Sequence, residues 1–335
     1  MSEIIVQNLL SPVVLFFVLG IIAAMFKSDL KFPAGLSEGL SIYLLIAIGI
    51  KGGIELSNYS IESVWAPILG ALFLGAVIPI ITLFILKLIK MDLKNSIGLA
   101  ATYGSVSIVT YGAAIAFLNK SGTSYESFMN AIVVLMESPA ILVSFLLLRI
   151  LESNKDLPIY STQSMGIIPS STTFLDKEVL RESIFGKSIL LLMGSLFIGW
   201  ILGEQALPMV KPLFIDLYSS VLILFLLNMG LLVGKRLPEV KQHGLPLLIF
   251  GVTTPLLFGS LGVLVGNFVG LSLGGVTLMG VLAGSASYIA APAALKTSVP
   301  EANPSIYLGL SLGVTFPFNL IIGIPVYFEM AKWIQ

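Results

Sequence analysis

The chain has 335 residues, 56% hydrophobic and only 11% charged, with a formal net charge of zero. Soluble domains carry about 25% charged residues, so this composition points to a membrane protein with a lipid bilayer as its solvent, and the neutral balance offers nothing to nucleic acid. The absence of cysteine and the single histidine, His243, rule out a disulfide framework and argue against a zinc or haem site.

Ten apolar runs are long enough for transmembrane helices. The first, 8–26, is preceded by Glu3 and by no basic residue, so it reads as a span and not as a signal peptide. Spans follow at 35–52 and 63–90. The fourth, 95–118, contains YGSVSIVTYGAA (103–114), a polar and flexible phrase inside an apolar run. The fifth, 126–150, places Glu137 shortly before Pro139. A carboxylate at that depth is functional by default: a sodium ligand, a proton carrier, or a protonated structural donor. Residues 153–185 are polar and rich in Ser, Thr and Pro, which predicts a linker, either a plain tether or a docking site for a regulator. Spans resume at 186–203 and at 213–234, the latter with Asn228. After 244–270, the ninth span, 273–296, contains GSASYIAAPAA (284–294), and the tenth, 303–331, holds Asn319. Each asparagine is a candidate carbonyl ligand for a cation or a tie between helices. Glu55, Glu62, Asp92 and Glu204 fall at span ends and are expected in solvent, as is His243 beside a run of charges.

An even number of spans puts both termini on one side. Lys51, Lys120, Lys211 and Lys332 collect there, and the other fourteen of the 18 basic residues collect opposite. Basic loops stay in the cytoplasm. The termini are therefore expected outside the cell membrane and the 153–185 linker inside.

The phrase GSVSIVTYGAA (104–114) returns as GSASYIAAPAA (284–294), an offset of 180 residues. LLSPVVLFFVLGII (9–22) likewise matches SILLLMGSLFIGWI (188–201), aligning Gly20 with Gly199. Pro67 and Pro246 open the third span of each half. The reading is an all-α membrane protein of two five-helix repeats, 1–152 and 186–335. Five is odd, so the second repeat enters from the opposite side, the inverted plan common in secondary transporters.

Ser105 and Ser107 are two apart, as are Ser285 and Ser287. Such pairs share a face in an extended segment and not on a helix. Gly104, Gly112, Gly284 and Pro292 make unwinding cheap, and unwound backbone at membrane depth must line a cavity or be buried in protein. Helices four and nine are therefore predicted to break and to cross near the midplane. Half-helix N-termini would offer N–H groups to an anion. Hydroxyls and carbonyls would offer oxygen to a hard cation such as Na+. Lys and Arg lie near span ends, so a co-bound cation would have to balance the anion. The expected anion site is Tyr103, Gly104, Ser105, Val106 and Ser107 with Gly284, Ser285, Ala286 and Ser287. Candidate Na+ ligands are Thr102, Thr110, Glu137, Asn228, Tyr288 and Asn319. The alternative is packing, since small residues let helices approach closely.

Several stretches make the chain similar to the sodium-dependent bicarbonate transporter family, best known from cyanobacteria. They are IGIKGGIEL (48–56), YGSVSIVTYGAA, TSYESFMNA (123–131), MESPA (136–140) and GSASYIAAPAALKTSVPEANPSIYLG (284–309). The resemblance implies ten helices in inverted repeats, symport of sodium and bicarbonate, a homotrimer, and a PII-like regulator on the cytoplasmic face. The chain departs from the family pattern at Tyr288 and Asn228, where relatives carry acids, and at MESP in place of MD-x-P. The functional expectation is sodium-coupled import of bicarbonate. Its rivals are another small anion such as an organic carboxylate on the same scaffold, and a passive anion channel. No HExxH or catalytic carboxylate pair suggests an enzyme, and GLSLG (270–274 and 309–313) reads as a small-residue packing surface between helices.

Overall fold

The structure, a computed structural model, describes residues 6, 9–153, 186–240 and 244–335. Beyond Ser153, the linker expected at 153–185 lies outside these residues, as does His243. The described residues are helical, with no strand among them. In chain order the helices are α1 (Pro12–Met25), α2 (Ala34–Leu56), α3 (Ile61–Leu88), α4 (Leu93–Gly104), α5 (Ile108–Lys120), α6 (Met129–Ser153), α7 (Lys187–Leu202), α8 (Tyr218–Val240), α9 (Leu245–Phe268), α10 (Leu273–Ala283), α11 (Ala290–Ser298) and α12 (Pro304–Ile334).

Seven helical stretches among the described residues are long and apolar enough to cross a membrane. The count differs from the ten expected for local reasons. The first expected span is the shorter α1. The sixth and seventh run together as Ile189–Lys235, 47 residues, which at 1.5 Å per residue is about 70 Å, enough for two crossings. This run turns at Gly203, whose φ of +54° suits glycine, and then passes through a wide-turned stretch, Lys211–Asp216. The ninth is divided into α10 and α11.

The helices pair across the two halves. α1 packs along α8, and α2 packs along α7. Both contacts are backbone to backbone at glycine: a Cβ on Gly20 would lie 2.2 Å from the Leu227 carbonyl oxygen, and one on Gly53 would lie 2.0 Å from that of Leu196. Without a hydrophobic drive between helices in lipid, such small-residue contacts carry association.

The remaining helices form a second unit around α4 and α5. Of an 18-residue apolar window within Leu93–Lys120, 94% is buried, against 39% for the corresponding window within Glu62–Leu88. The hairpins that lead into the breaks match residue for residue at an offset of 180. Two residues past the end of α3 comes Lys90 (φ +58°), and two past the end of α9 comes Gly270 (φ +78°). Met91 N–H returns to the Leu86 carbonyl at 3.1 Å, and Leu271 N–H to that of Gly266 at 3.1 Å. Asp92 caps α4 by accepting from Asn95 N–H at 3.0 Å, and Ser272 caps α10 by accepting from Gly275 N–H at 3.3 Å. Such caps satisfy N–H groups that the first helical turn leaves free. Partial burial pushes the Asp92 carboxyl up, but hydrogen bonds from the Asn95 backbone and side chain outweigh it and hold the group below its ordinary range.

Candidate functional site

Both serine phrases interrupt helices. The chain leaves α4 at Gly104, runs extended through Ser105 (φ −81°, ψ 165°) and Ser107 (φ −104°, ψ 107°), and re-enters a helix at Ile108. In the second half it leaves α10 at Ala283 and resumes as α11 at Ala290. Each departure is set by a glycine held against a proline-containing helix. A Cβ on Gly104 would sit 2.4 Å from Pro79 Cγ of α3; one on Gly284 would sit 2.8 Å from the Pro255 carbonyl of α9 and 2.6 Å from the Tyr327 hydroxyl.

The two breaks are bonded to each other. Ser107 N–H donates to Ser285 Oγ at 2.9 Å, and Ser287 N–H donates to the Thr102 carbonyl at 2.8 Å. Ser105, Ser107, Ser285 and Ser287 are all buried, with Val106 and Ala286 between them. Ser107 starts α5: its Oγ accepts from Thr110 N–H at 3.2 Å and from the Thr110 hydroxyl at 2.8 Å. Ser287 Oγ accepts from Ala291 N–H at 3.3 Å at the start of α11. The N-terminal ends of α5 and α11 thus meet where the breaks cross. Between them lies a cavity of about 10 Å³, lined by Val106, Ser107, Ile108, Glu137, Ser287, Tyr288 and Ile289. That is room for about one water.

Seven buried side-chain polar atoms among the described residues lack a hydrogen-bond partner, and four belong to the predicted site: Thr102 Oγ1, Ser105 Oγ, Glu137 Oε2 and the Tyr288 hydroxyl. The Tyr288 hydroxyl lies beside Ser107 without a hydrogen bond of good geometry. Buried polar groups are ordinarily satisfied, so the gathering of four unpartnered ones at one crossing distinguishes this region.

Other predicted residues are placed differently. Tyr103 points away from the cavity: its hydroxyl lies 2.7 Å from Thr315 Oγ1, which itself donates to the Gly251 carbonyl at 2.7 Å, so Tyr103 must be the donor. Its ring packs on Phe250. Asn319 is tied on both ends. Its Nδ2 donates to the Gly284 carbonyl at 2.7 Å, and its Oδ1 accepts from the Tyr327 hydroxyl at 2.9 Å. Asn228 sits apart from the crossing and donates to Ser37 Oγ at 2.6 Å. It lines a larger cavity of about 630 Å³ that reaches the crossing at Tyr288 and Ile289 and carries the Glu38–Lys187 ion pair along its wall.

Sequence reading missed a polar cluster on the opposite side of the crossing. Glu55, expected in solvent, is partly buried; its Oε2 accepts from Asn130 Nδ2 at 2.7 Å, while Asn130 Oδ1 accepts from the Tyr111 hydroxyl at 3.0 Å. Lys51 stands 3.9 Å from Glu55 and, with Asn130, lines a cavity of about 160 Å³. The signal in the sequence is the i, i+4 spacing of Lys51 and Glu55; Asn130 joins them only through the fold.

Apolar helices in this number, joined by broken helices that face each other, define a multi-pass membrane protein. A family model described as the Na+-dependent bicarbonate transporter superfamily matches residues 12–332 of the 335, and the chain belongs to that family. Membership makes it a transporter and not an enzyme, and brings sodium dependence and bicarbonate as the family's ion and substrate. No curated protein matches the chain.

Proposed function

We propose that the protein is a secondary active transporter that carries bicarbonate into the cell together with sodium, both ions being held where the two breaks cross. The observation that carries this reading is the set of unpartnered buried groups, Thr102, Ser105, Glu137 and Tyr288, around two converging helix N-termini. The N–H groups and hydroxyls suit the anion. Glu137 and the hydroxyls of Thr102 and Ser105 suit a hard cation.

The matched hairpins and the exchanged pairs α1–α8 and α2–α7 support ten crossings in two inverted five-helix repeats. On that plan α1, α2, α7 and α8 form one moving unit, and the helices around the breaks form the other. Taking the basic loops as cytoplasmic, the large cavity at Asn228 and Tyr288 opens inward. The cavity at Lys51 and Asn130 faces outward, so the geometry suits an inward-open conformation with a closed site. A homotrimer and a PII-like regulator at 153–185 rest on the family resemblance alone.

Import of a monovalent anion against an inside-negative potential costs ~2.3 kcal/mol per 100 mV. One Na+ entering with it cancels that cost and adds its own gradient. Radiolabelled bicarbonate uptake into proteoliposomes tests the reading. Uptake should saturate and should require an inward sodium gradient. Sodium-independent, non-saturating flux would make the protein a channel, and uptake abolished by small organic carboxylates at equal concentration would move the substrate to that class.

A further inference from the structure

We propose that Glu137 reads the hydroxyl of the transported anion: its free carboxylate oxygen accepts the O–H of bicarbonate and so separates bicarbonate from anions of similar shape that carry no proton. This rests on reading the crossing as the anion site. The other polar side chains that line it are neutral hydroxyls, each with a proton to give. Ser107 Oγ accepts twice from Thr110 and keeps its own proton to give, Ser287 Oγ accepts from Ala291 N–H and does the same, and the Tyr288 hydroxyl has no bond of good geometry. The starts of α5 and α11 add backbone N–H groups. Neutral hydroxyls and N–H groups suit any small anion and do not repel nitrate or formate.

Glu137 breaks that uniformity. It comes from a third helix, α6, is 2% exposed, lines the same cavity, and holds Oε2 without a partner. An ionised carboxylate only accepts hydrogen bonds. Nitrate would turn oxygen lone pairs toward Oε2 and be repelled, whereas bicarbonate brings one O–H that fits. None of the seven lining residues is basic. An ionised Glu137 therefore needs a cation beside it, which ties recognition of the hydroxyl to the entry of sodium.

The experiment is inhibition of labelled bicarbonate uptake in proteoliposomes at saturating sodium, with unlabelled bicarbonate, nitrate and formate as competitors. For the wild-type chain, nitrate and formate should inhibit at least about tenfold more weakly than bicarbonate, the discrimination expected of one hydrogen bond to a charged group. Glu137→Met, close in size but without an acceptor oxygen, should close most of that gap. Glu137→Gln should keep most of it, because the amide carbonyl still accepts, while needing more sodium. Nitrate equal to bicarbonate on the wild-type chain overturns the inference without any variant. So does a gap unchanged in Glu137→Met, or one lost in Glu137→Gln together with sodium dependence, which would make Glu137 a sodium anchor only. Failure of the wild-type chain to take up bicarbonate at all would overturn the proposed function instead.

Discussion

At the second break Ser285 is bonded on both sides: it donates to the Leu282 carbonyl at 2.8 Å and accepts from Ser107 N–H at 2.9 Å. At the first break the equivalent bridge is bypassed. Ser287 N–H goes straight to the Thr102 carbonyl, the counterpart of Leu282, and Ser105 Oγ is left without a partner. The second break also has Asn319 holding the Gly284 carbonyl, with Tyr327 bonded behind it. At Gly284 and Ser285 the second break is therefore a finished scaffold, and its spare hydroxyl is that of Tyr288. The first break keeps hydrogen-bonding capacity in reserve at Thr102 and Ser105, which is where a ligand can add bonds without first breaking any.

The largest expected effect tests whether both breaks are needed. Ser107→Ala and Ser287→Ala should each reduce sodium-stimulated bicarbonate uptake to background while the purified protein keeps its size-exclusion profile. Uptake at the wild-type rate in both would remove the crossing as the site. Next comes the scaffold itself. Asn319→Leu strands the Gly284 carbonyl, while the Tyr327 hydroxyl keeps the Pro255 carbonyl, and should cost about 1–3 kcal/mol of stability, read as a lowered thermal midpoint in detergent. A midpoint unchanged from wild type would show that the second break is not held as described.

A finer contrast sets the two matched serines against each other. Ser285→Ala should cost about 1–3 kcal/mol, because Ser107 N–H is left buried and unpaired. Ser105→Ala removes a hydroxyl that bonds nothing and strands no partner, so its thermal midpoint should stay close to that of wild type while its sodium requirement rises. Equal destabilisation by the two would erase the asymmetry between the breaks.

Much of this architecture was legible beforehand. Apolar runs marked the helices, and glycine and serine marked 104–107 and 284–287 as the places where helices stop. The serine spacing of two predicted extended backbone, and Ser105 and Ser107 have it. Other assignments depended on distance. Tyr103 sits beside Gly104 in sequence, yet its hydroxyl is taken by Thr315, 212 residues away. Asn319 read equally well as a cation ligand or as a tie, and its two partners lie 35 and 8 residues off. Glu55 looked solvated until Asn130 met it from α6.

Sequence by itself determined the membrane class, the duplicated phrase and the points at which helix propensity fails, because these follow from side-chain chemistry and from neighbours within a turn or two. Tertiary structure alone decided which hydroxyls are spent and which are spare. Ser105 and Ser285 stand in near-identical local contexts, and only the approach of a backbone N–H from the other half, about half a chain away, distinguishes them. A hydrogen bond fades within a few tenths of an ångström, so its making or missing is settled by how the two halves dock and not by the residues at either end.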